Sequence, residues 1–364
     1  MNYLIQAYAC SSVQGGEYAV SWGWITHLSN GLKNVSVLNV EGMEKYKFLN
    51  YNQIYYMIWQ YKAYRMIKKM NLKIDVVHSY SLSDFRFPGK WYKIKQAYSI
   101  LGPVGGGQIC PMALQGYDDK SGKIREKINR IWKYNIFFKY KIKKYNRVYA
   151  CNKETQEYLK NSNILVDVPL NNMFRNLEIK KRKHEIPTIL FVGRLINKKG
   201  LKLLLDALKY VDKNLTYKVL IYGEGNQYEY LKKLIREKDL SEKVFLKGKV
   251  LYKDISDVYM KGDIFVLPSL RESGGSVLIE ALAHKLPIVA LDMALAHLLS
   301  EHKCGLFINT QQEKNEILLE FGNALSKLIK NLDIREEYGN NGYKYVNENL
   351  TWDKMINEVH GKFI

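Results

Sequence analysis

The 364-residue chain has few cysteines, and their positions exclude two classes of small site. Its four cysteines, Cys10, Cys110, Cys151 and Cys304, lie far apart and show no metal-ligand spacing. We expect the reduced, packed thiols of a cytosolic protein, not a disulfide framework or a zinc site. The chain also lacks any Asp-x-Asp sequence and any His/Cys/Asp cluster with ligand spacing. We therefore predict no metal and no cofactor.

Long apolar runs are also missing. No run reaches the roughly 18 residues that a membrane-spanning helix needs. The first residues read as a short strand, at 3–8, without a basic leader, so we expect no signal segment. These features predict a cytoplasmic location.

Acidic residues are scarce only in the first half of the chain, which carries most of the net charge of +20. Residues 1–183 contain 30 Lys and Arg against 12 Asp and Glu, whereas residues 184–364 contain 26 against 24. An anionic partner is therefore expected for the first half. No nucleic-acid-binding module accompanies this charge, so we expect no nucleic acid.

The basic residues of the first half alternate with apolar ones. Residues 123–149 hold ten Lys and Arg against the single acid Glu126, with isoleucines and aromatic residues between them. A similar apolar stripe at 51–58 precedes another basic run. Such helices suit the surface of an anionic bilayer, and predict a peripheral position on the inner face of the cytoplasmic membrane. An amphipathic helix packed on a sheet, with hydrated charges, would give the same pattern.

Short apolar strands alternate with helical patterns in both halves. This alternation predicts an α/β fold with parallel sheets wound on both faces, and the length predicts two domains. We predict an N-terminal domain at 1–172, a linker at 173–187, a C-terminal domain at 188–350 and a helix at 351–364 that packs back on the N-terminal domain. Two such domains facing each other would form a cleft at the carboxyl ends of their strands, where ligands bind.

Residues 268–287 give the strongest indication of function. A buried-looking strand leads into a Gly-Gly-Ser turn that opens a helix, with Glu272 on the turn and Glu280 in the helix. Free backbone N–H groups at such a turn bind phosphate, and carboxylates accept hydrogen bonds from sugar hydroxyls. The combination predicts a nucleotide-sugar site.

A second basic loop follows another predicted strand. Arg194 and Lys199 lie between the strand that ends at Val192 and a helix that begins after Gly200. Fixed cations in this position suit a diphosphate and would stabilise the negative charge that grows on it as it leaves.

These motifs, in this order, resemble those of the retaining glycosyltransferases of the large group 1 family. They are Gly193-Arg194 with Lys199-Gly200, then Tyr222-Gly-Glu-Gly225, then the Glu272 to Glu280 segment. In the first half, Gly15-Gly16-Glu17, Val76-Val77-His78, Arg86-Phe-Pro88 and the 102–108 loop look like bacterial polysaccharide-assembly members. The resemblance implies the GT-B architecture, two facing Rossmann-like doubly wound domains with an inter-domain cleft.

The same resemblance implies roles for individual residues. Arg194 and Lys199 would hold the diphosphate, and Glu272 would contact the hydroxyls of the donor sugar. Glu280 would bind the ribose. Further donor contacts would come from backbone and small side chains, namely Gly15, Gly16, Gly274, Gly275, Ser276 and Val277. The implied donor is a nucleoside-diphosphate sugar, with UDP favoured and GDP possible, and the acceptor is a glycan linked to polyprenyl diphosphate.

The chain departs from the family pattern at two places. Lys285 occupies a position where the family usually has glycine. In addition, the first domain offers no histidine on the loop where many members place one near the reacting carbon. The candidate acceptor-side residues are therefore His78, Arg86, Gly106, Gly107 and Gln108, and a purely structural role for His78 stays open. A nucleotide-sugar 2-epimerase is the alternative within this fold, but it would lack the basic first half.

Overall fold

A computed structural model of the chain describes residues 1–7, 17–31, 34–38, 52–80, 84–179 and 184–364. The chain divides into two compact units. The first comprises Met1–Gln108, Ile128–Val168 and Trp352–Ile364, and the second comprises Ile109–Lys127 and Pro169–Thr351. Among the described residues, each unit contains a six-stranded sheet in which every pairing is parallel. The predicted fold class, two Rossmann-like α/β domains, is confirmed.

The two sheets take their strands from successive parts of the chain. The strands are β1 (Asn2–Gln6), β2 (Asn34–Leu38), β3 (Val76–Ser79), β4 (Tyr98–Val104), β5 (Arg147–Ala150), β6 (Asn163–Ile164), β7 (Thr188–Val192), β8 (Lys218–Tyr222), β9 (Val244–Gly248), β10 (Ile264–Leu267), β11 (Ile288–Leu291) and β12 (Gly305–Ile308). The first sheet has the order β2-β1-β3-β4-β5-β6, and the second has the order β12-β11-β10-β7-β8-β9. Both orders are those of doubly wound nucleotide-binding folds.

Helices occupy the connections between these strands. They are α1 (Glu17–Gly31), α2 (Asn52–Met70), α3 (Lys120–Tyr134), α4 (Ile136–Lys143), α5 (Lys153–Gln156), α6 (Leu201–Ala207), α7 (Tyr228–Glu237), α8 (Ile255–Tyr259), α9 (Ser276–Ala283), α10 (Ala294–Leu299), α11 (Lys314–Lys330), α12 (Leu332–Asn349) and α13 (Trp352–His360). None of them, within the described ranges, is long and apolar enough to cross a membrane.

The first sheet is covered on both faces. Successive residues of a strand point to opposite faces, and Leu4 and Ile5 of β1 accordingly enter two different hydrophobic clusters. Leu4 belongs to a cluster with Trp59 of α2, whereas Ile5 belongs to one with Trp24 of α1 and Trp352 of α13. The last helix, α13, is therefore part of the core of the first unit.

Residues 109–127 lie in the second unit, although the sequence analysis placed them in an N-terminal domain at 1–172. The Tyr117 hydroxyl donates to Asp206 Oδ2 at 2.8 Å, and Arg271 Nη2 donates to Asp118 Oδ1 at 2.7 Å. The Asp118 side chain is only 1% exposed, so its charge needs this buried partner. Contacts between residues 153 positions apart leave no local pattern in the sequence.

Lys285 has an unusual backbone conformation just after α9. Its φ is +54°, in the left-handed region that favours glycine at the end of a helix. This geometry accounts for the glycine that the family resemblance led us to expect at this position.

Candidate functional site

The candidate site of the second unit lies where the strand order of its sheet reverses. The adjacent strands β7 and β10 form the point from which the chain proceeds to β8 and β9 on one side and to β11 and β12 on the other. Because the strands are parallel, the loops 193–200 and 268–275 leave from the same edge of the sheet. Doubly wound folds bind their ligands in this crevice.

The two loops are packed directly against each other. The backbone N–H of Leu270 donates to the carbonyl of Lys198 at 2.8 Å. Gly200 has a φ of +69°, and a Cβ there would lie 1.9 Å from the Pro268 carbonyl oxygen. Only glycine fits this approach, so the loop geometry depends on the Lys-Lys-Gly sequence.

The Tyr222-Gly-Glu-Gly225 turn supports the first loop from its other side. The N–H groups of Gly193 and Leu195 donate to the carbonyls of Tyr222 and Glu224, at 3.0 and 2.8 Å. A Cβ on Gly223 would lie 1.8 Å from the Gly193 carbonyl oxygen. This turn therefore has a structural role in holding the loop that carries Arg194.

An ion pair joins the two loops. Lys199 Nζ pairs with Glu272 Oε2, and the two side chains are 12% and 15% exposed. Burial by itself raises the pKa of the Glu272 carboxyl, but the ammonium groups of Lys199 and Lys198 outweigh it and lower that pKa below its usual value. Glu272 is thus a carboxylate at neutral pH, held by a cation at the sheet edge.

Two further cations surround this pair and were not identified from the sequence. Burial lowers the pKa of Lys198 to about 8; the Glu272 charge opposes this shift, and the charges of Lys199, Arg194 and Arg125 add to it. Lys198 could have been found as the neighbour of Lys199 in the Lys-Lys-Gly turn. Arg125 could not have been found, because it belongs to residues 109–127, which the sequence analysis placed in the N-terminal domain.

The helix α9 begins at the end of the second loop. Gly275, with a φ of +60°, precedes it, and Gly274 and Gly275 are buried while Ser276 and Val277 are half-buried. The first N–H groups of a helix have no partner within the helix and form an anion site. The structure thus brings the predicted Gly274–Val277 segment beside the Lys199–Glu272 pair.

Glu280 lies two turns into α9 and has a different electrostatic environment from Glu272. Its Oε2 accepts a hydrogen bond from the buried Tyr259 hydroxyl at 2.7 Å. Burial raises the pKa of Glu280 to about 7, and the Tyr259 hydrogen bond opposes this shift only in part. Glu280 therefore changes its protonation near neutral pH, whereas Glu272 stays ionised.

His78 does not lie where the sequence analysis expected it, facing a cleft. Its side chain is fully buried, and its Nε2 donates to the Gly102 carbonyl while its Nδ1 accepts from His360 Nε2 at 3.2 Å. Burial lowers the pKa of His78 to about 4, although the Gly102 hydrogen bond opposes this shift. The structure supports the alternative interpretation, a neutral core histidine.

The other predicted acceptor-side residues are also buried among protein groups. Arg86, 4% exposed, donates to Asp84 through Nε at 2.8 Å and through Nη2. Gly106 N–H donates to Gln108 Oε1, and Gly107 N–H donates to Thr155 Oγ1.

The glycine at 107 has a packing reason of its own. A Cβ there would lie 2.6 Å from the Glu154 carbonyl oxygen. Gly107 therefore permits a close approach of the protein's own backbone, and the acceptor-side roles of Gly106 and Gly107 stay predictions.

Two further points stay predictions, namely the donor contacts of Gly15 and Gly16 and the independence from metal. Gly15 and Gly16 lie outside the described residues. Among the residues that are described, no three His, Cys, Asp or Glu side chains group as metal ligands. Metal independence stays a prediction.

Comparison with known proteins finds a family match in the second half of the chain. Residues 173–345 match the family model for glycosyl transferases group 1. An uncharacterized glycosyltransferase of Methanocaldococcus jannaschii is 26% identical over 338 residues, which cover 90% of this chain and 84% of that protein. Another from the same organism is 29% identical over 172 residues, 47% of this chain and 43% of its own length. Whereas the match to the 26% identical relative covers most of that protein, the chain spans about half the length of the other curated relatives it matches.

A solved structure shares the fold over the whole length of the chain. Anabaena HepE in complex with UDP superposes with a TM-score of 0.60 at 14% identity, over 100% of this chain and 99% of that one. The match to the group 1 family covers the part of the chain that contains the β7 and β10 loops, and the full-length relative named above is also called a glycosyltransferase.

Proposed function

We propose that this chain transfers a sugar from a nucleoside-diphosphate sugar to a lipid-linked glycan, with retention of anomeric configuration and without a divalent metal. UDP is the favoured nucleotide, and the acceptor belongs to the synthesis of a cell-surface polysaccharide such as capsule or O-antigen. The observation that supports the donor assignment best is the Lys199–Glu272 ion pair at the strand-order reversal, beside the N-terminus of α9.

The donor would be held by separate groups for its separate parts. The diphosphate would bind Arg194, Lys199 and the first N–H groups of α9, which together offer fixed positive charge. Glu272, kept ionised by its cations, would accept hydrogen bonds from sugar hydroxyls. Glu280 would accept from the ribose hydroxyls.

Transfer then needs charge stabilisation at the leaving group. The bond from the anomeric carbon to the phosphate oxygen breaks, and the bond to the acceptor oxygen forms on the same face of the sugar. The acceptor proton passes to the departing phosphate oxygen, so no separate general base is required. Lys199 and Arg194 stabilise the charge that grows on the diphosphate more than they stabilise the ground state.

Binding of UDP tests the donor assignment. UDP at 100 times its Kd should stabilise the protein by about 2.7 kcal/mol, measured as a thermal shift, and other nucleoside diphosphates should give smaller shifts. Lys199→Met and Glu280→Ala should each abolish most of the UDP-induced shift, whichever way they move the melting temperature of the free protein. The exposed Lys213 provides the matched control, Lys213→Met. Equal UDP-induced shifts in all four proteins would refute the assignment.

The proposed acceptor and membrane contact are supported by basic helices of the first unit that also expose apolar side chains. α2 and α4 contain no acidic residue, and apolar side chains at the end of α3 and the start of α4 are exposed to solvent among basic residues. Ile131, Ile136 and Phe137 are 70, 78 and 81% exposed. Apolar groups left in water beside cations fit an anionic bilayer, at about 1 kcal/mol per Lys or Arg near the surface.

Flotation with liposomes tests this part separately. The protein should float with vesicles of phosphatidylcholine containing phosphatidylglycerol and stay in the dense fraction with phosphatidylcholine alone. The double substitution Lys139→Glu with Lys141→Glu should remove most of the flotation, because the two new carboxylates on α4 repel the anionic lipid. Lys232→Glu, an exposed change on α7 of the second unit, is the control. Equal flotation with charged and uncharged vesicles would exclude the proposed membrane contact.

A further inference from the structure

The first unit contains a cavity that the donor site does not use. It measures about 310 Å³ and lies between α2, the 86–90 loop, the end of α3 and the start of α4. Its aromatic lining consists of Tyr61, Tyr64, Phe87, Trp132, Phe137 and Phe138. A concave, mostly apolar site of roughly 300–1,000 Å³ with a few placed polar groups is typical of small-ligand pockets.

The aromatic wall of the cavity packs against the hydrophobic core of the first unit. The rings of Trp132 and Phe138 meet edge to face at 5.7 Å between centroids, and Phe87 contacts Trp132 at 6.3 Å. Phe138 is 2% exposed, whereas its neighbour Phe137 is 81% exposed and reaches the rim of the cavity. Part of the wall is therefore packed into the core, and its rim is open to an incoming apolar chain.

Cations and one unsatisfied acceptor complete the lining. Arg86, Lys90 and Lys141 contribute to it, and none of the described residues that line it is acidic. Lys90 Nζ lies 5.8 Å from the centroid of the Tyr61 ring. Gln60, 6% exposed, donates through Nε2 to the Phe87 carbonyl at 3.0 Å, while its Oε1 has no hydrogen-bond partner among the described residues. An apolar chamber with a basic rim matches an amphiphile that has one apolar chain and an anionic head.

We propose that this cavity binds the phosphate-proximal isoprene units of a polyprenyl-phosphate chain. The aromatic wall contacts the isoprene units, and Lys90 and Lys141 bind the phosphate. This inference rests on the proposed lipid-linked acceptor and assigns a place to its carrier. The volume, near the lower limit for ligand pockets, suits the end of one chain better than the paired chains of a membrane phospholipid.

Farnesyl phosphate, a soluble polyprenyl monophosphate, is the probe. Its dissociation constant is measured with the full-length protein by calorimetry, and a diazirine-labelled form maps the contact by photo-crosslinking. Phe137→Ser and Lys141→Glu should each weaken binding about tenfold or more, which is the loss of about 1.4 kcal/mol. Crosslinks should fall on α2, α4 and the 86–90 loop.

Two matched controls lie on the same helix. Ile136 and Lys139 are exposed but do not line the cavity. Ile136→Ser and Lys139→Glu should therefore change the affinity less than about twofold, because each repeats the chemical change on the bilayer side of α4 without touching the pocket. All four substitutions are at exposed or rim positions, and a UDP thermal shift equal to that of the wild type shows that each variant is folded.

Several outcomes would overturn the inference. Farnesol binding as tightly as farnesyl phosphate would show that the cations do not recognise the phosphate. Equal losses in the variants and their controls would show general surface binding. Full competition by dihexanoyl phosphatidylglycerol below its micelle concentration would make the cavity a phospholipid site. Normal UDP binding with no pocket-specific effect rejects this inference alone, whereas failure to bind UDP rejects the proposed function.

Discussion

Replacing Glu280 by glutamine should stabilise the protein and weaken its nucleotide binding at the same time. Burial holds the pKa of Glu280 at about 7, above its ordinary 4.5. The folded state therefore keeps a proton that the unfolded chain loses between these two pH values. Stability from this group is present below pH 4.5 and is lost as the pH rises to 7. Glutamine stays neutral and still offers an oxygen to the Tyr259 hydroxyl.

The magnitude follows from the size of the shift. A difference of about 2.5 pKa units corresponds to roughly 3 kcal/mol at pH 8, and about 2 kcal/mol remains because the residue is only half-buried. For a unit of this size, that gain raises Tm by about 4–8 °C. At pH 4 the carboxyl is protonated in both states, so the substitution should have almost no effect.

Scanning calorimetry at pH 8 and pH 4, with UDP titrations at pH 8, measures both effects. Glu280→Gln should raise Tm only at pH 8, and should weaken UDP binding about tenfold because a charged acceptor is lost. Glu348, an exposed residue of α12, supplies the control Glu348→Gln, which should change stability by less than about 0.5 kcal/mol at either pH. A lower Tm at pH 8, or the same change at both values, would refute the reasoning.

Three other perturbations follow from the structure. As the pH falls from 6.5 towards 4, the free energy of unfolding of the first unit should decrease by about 1.4 kcal/mol per pH unit for each buried histidine. The reason is that burial lowers the pKa values of His78 and His360, so the unfolded chain takes up the protons first. Calorimetry that shows no decrease would contradict this. Gly200→Ala should lower the free energy of unfolding, measured with urea, by more than about 1 kcal/mol. In the control Gly116→Ala the new Cβ meets nothing within 4 Å, so the free energy of unfolding should change by less than about 0.5 kcal/mol. Equal decreases in both variants would argue against the loop contact. Lys285→Gly should raise the unfolding free energy by up to about 1 kcal/mol by removing a left-handed lysine, and a decrease would count against that account.

The donor side of the site could be predicted because its parts are local in the sequence. Arg194 and Lys199 follow one buried strand, and Glu272 and Gly275 follow another. Parallel sheets bring the carboxyl ends of their strands to one edge, so strand and loop positions alone predicted that Lys199 and Glu272 serve one site. The ion pair between them was not predicted. The left-handed backbone at Lys285 was visible only as a departure from a family pattern.

The acceptor side could not be predicted in the same way. His78 follows a strand as an active-site residue would, and only the fold shows that α13 returns His360 to it from 282 positions away. The glycines at 106 and 107 were interpreted as a ligand loop, because the sequence does not show that Gly107 packs against the backbone of Glu154. The buried Arg271–Asp118 pair joins distant segments, and no local periodicity reports such a contact.

The most direct test of the central claim is UDP release from UDP-sugars, followed with the anomeric configuration of the first-formed product by NMR. Water serves as a slow acceptor, so the assay needs no knowledge of the natural one. We expect release of UDP with retention of configuration, an unchanged rate in excess chelator, and a loss of about a hundredfold or more in Lys199→Met and Glu272→Gln, with Lys213→Met active. Inverted product, complete loss of release in chelator, or full activity in both site variants would contradict the account.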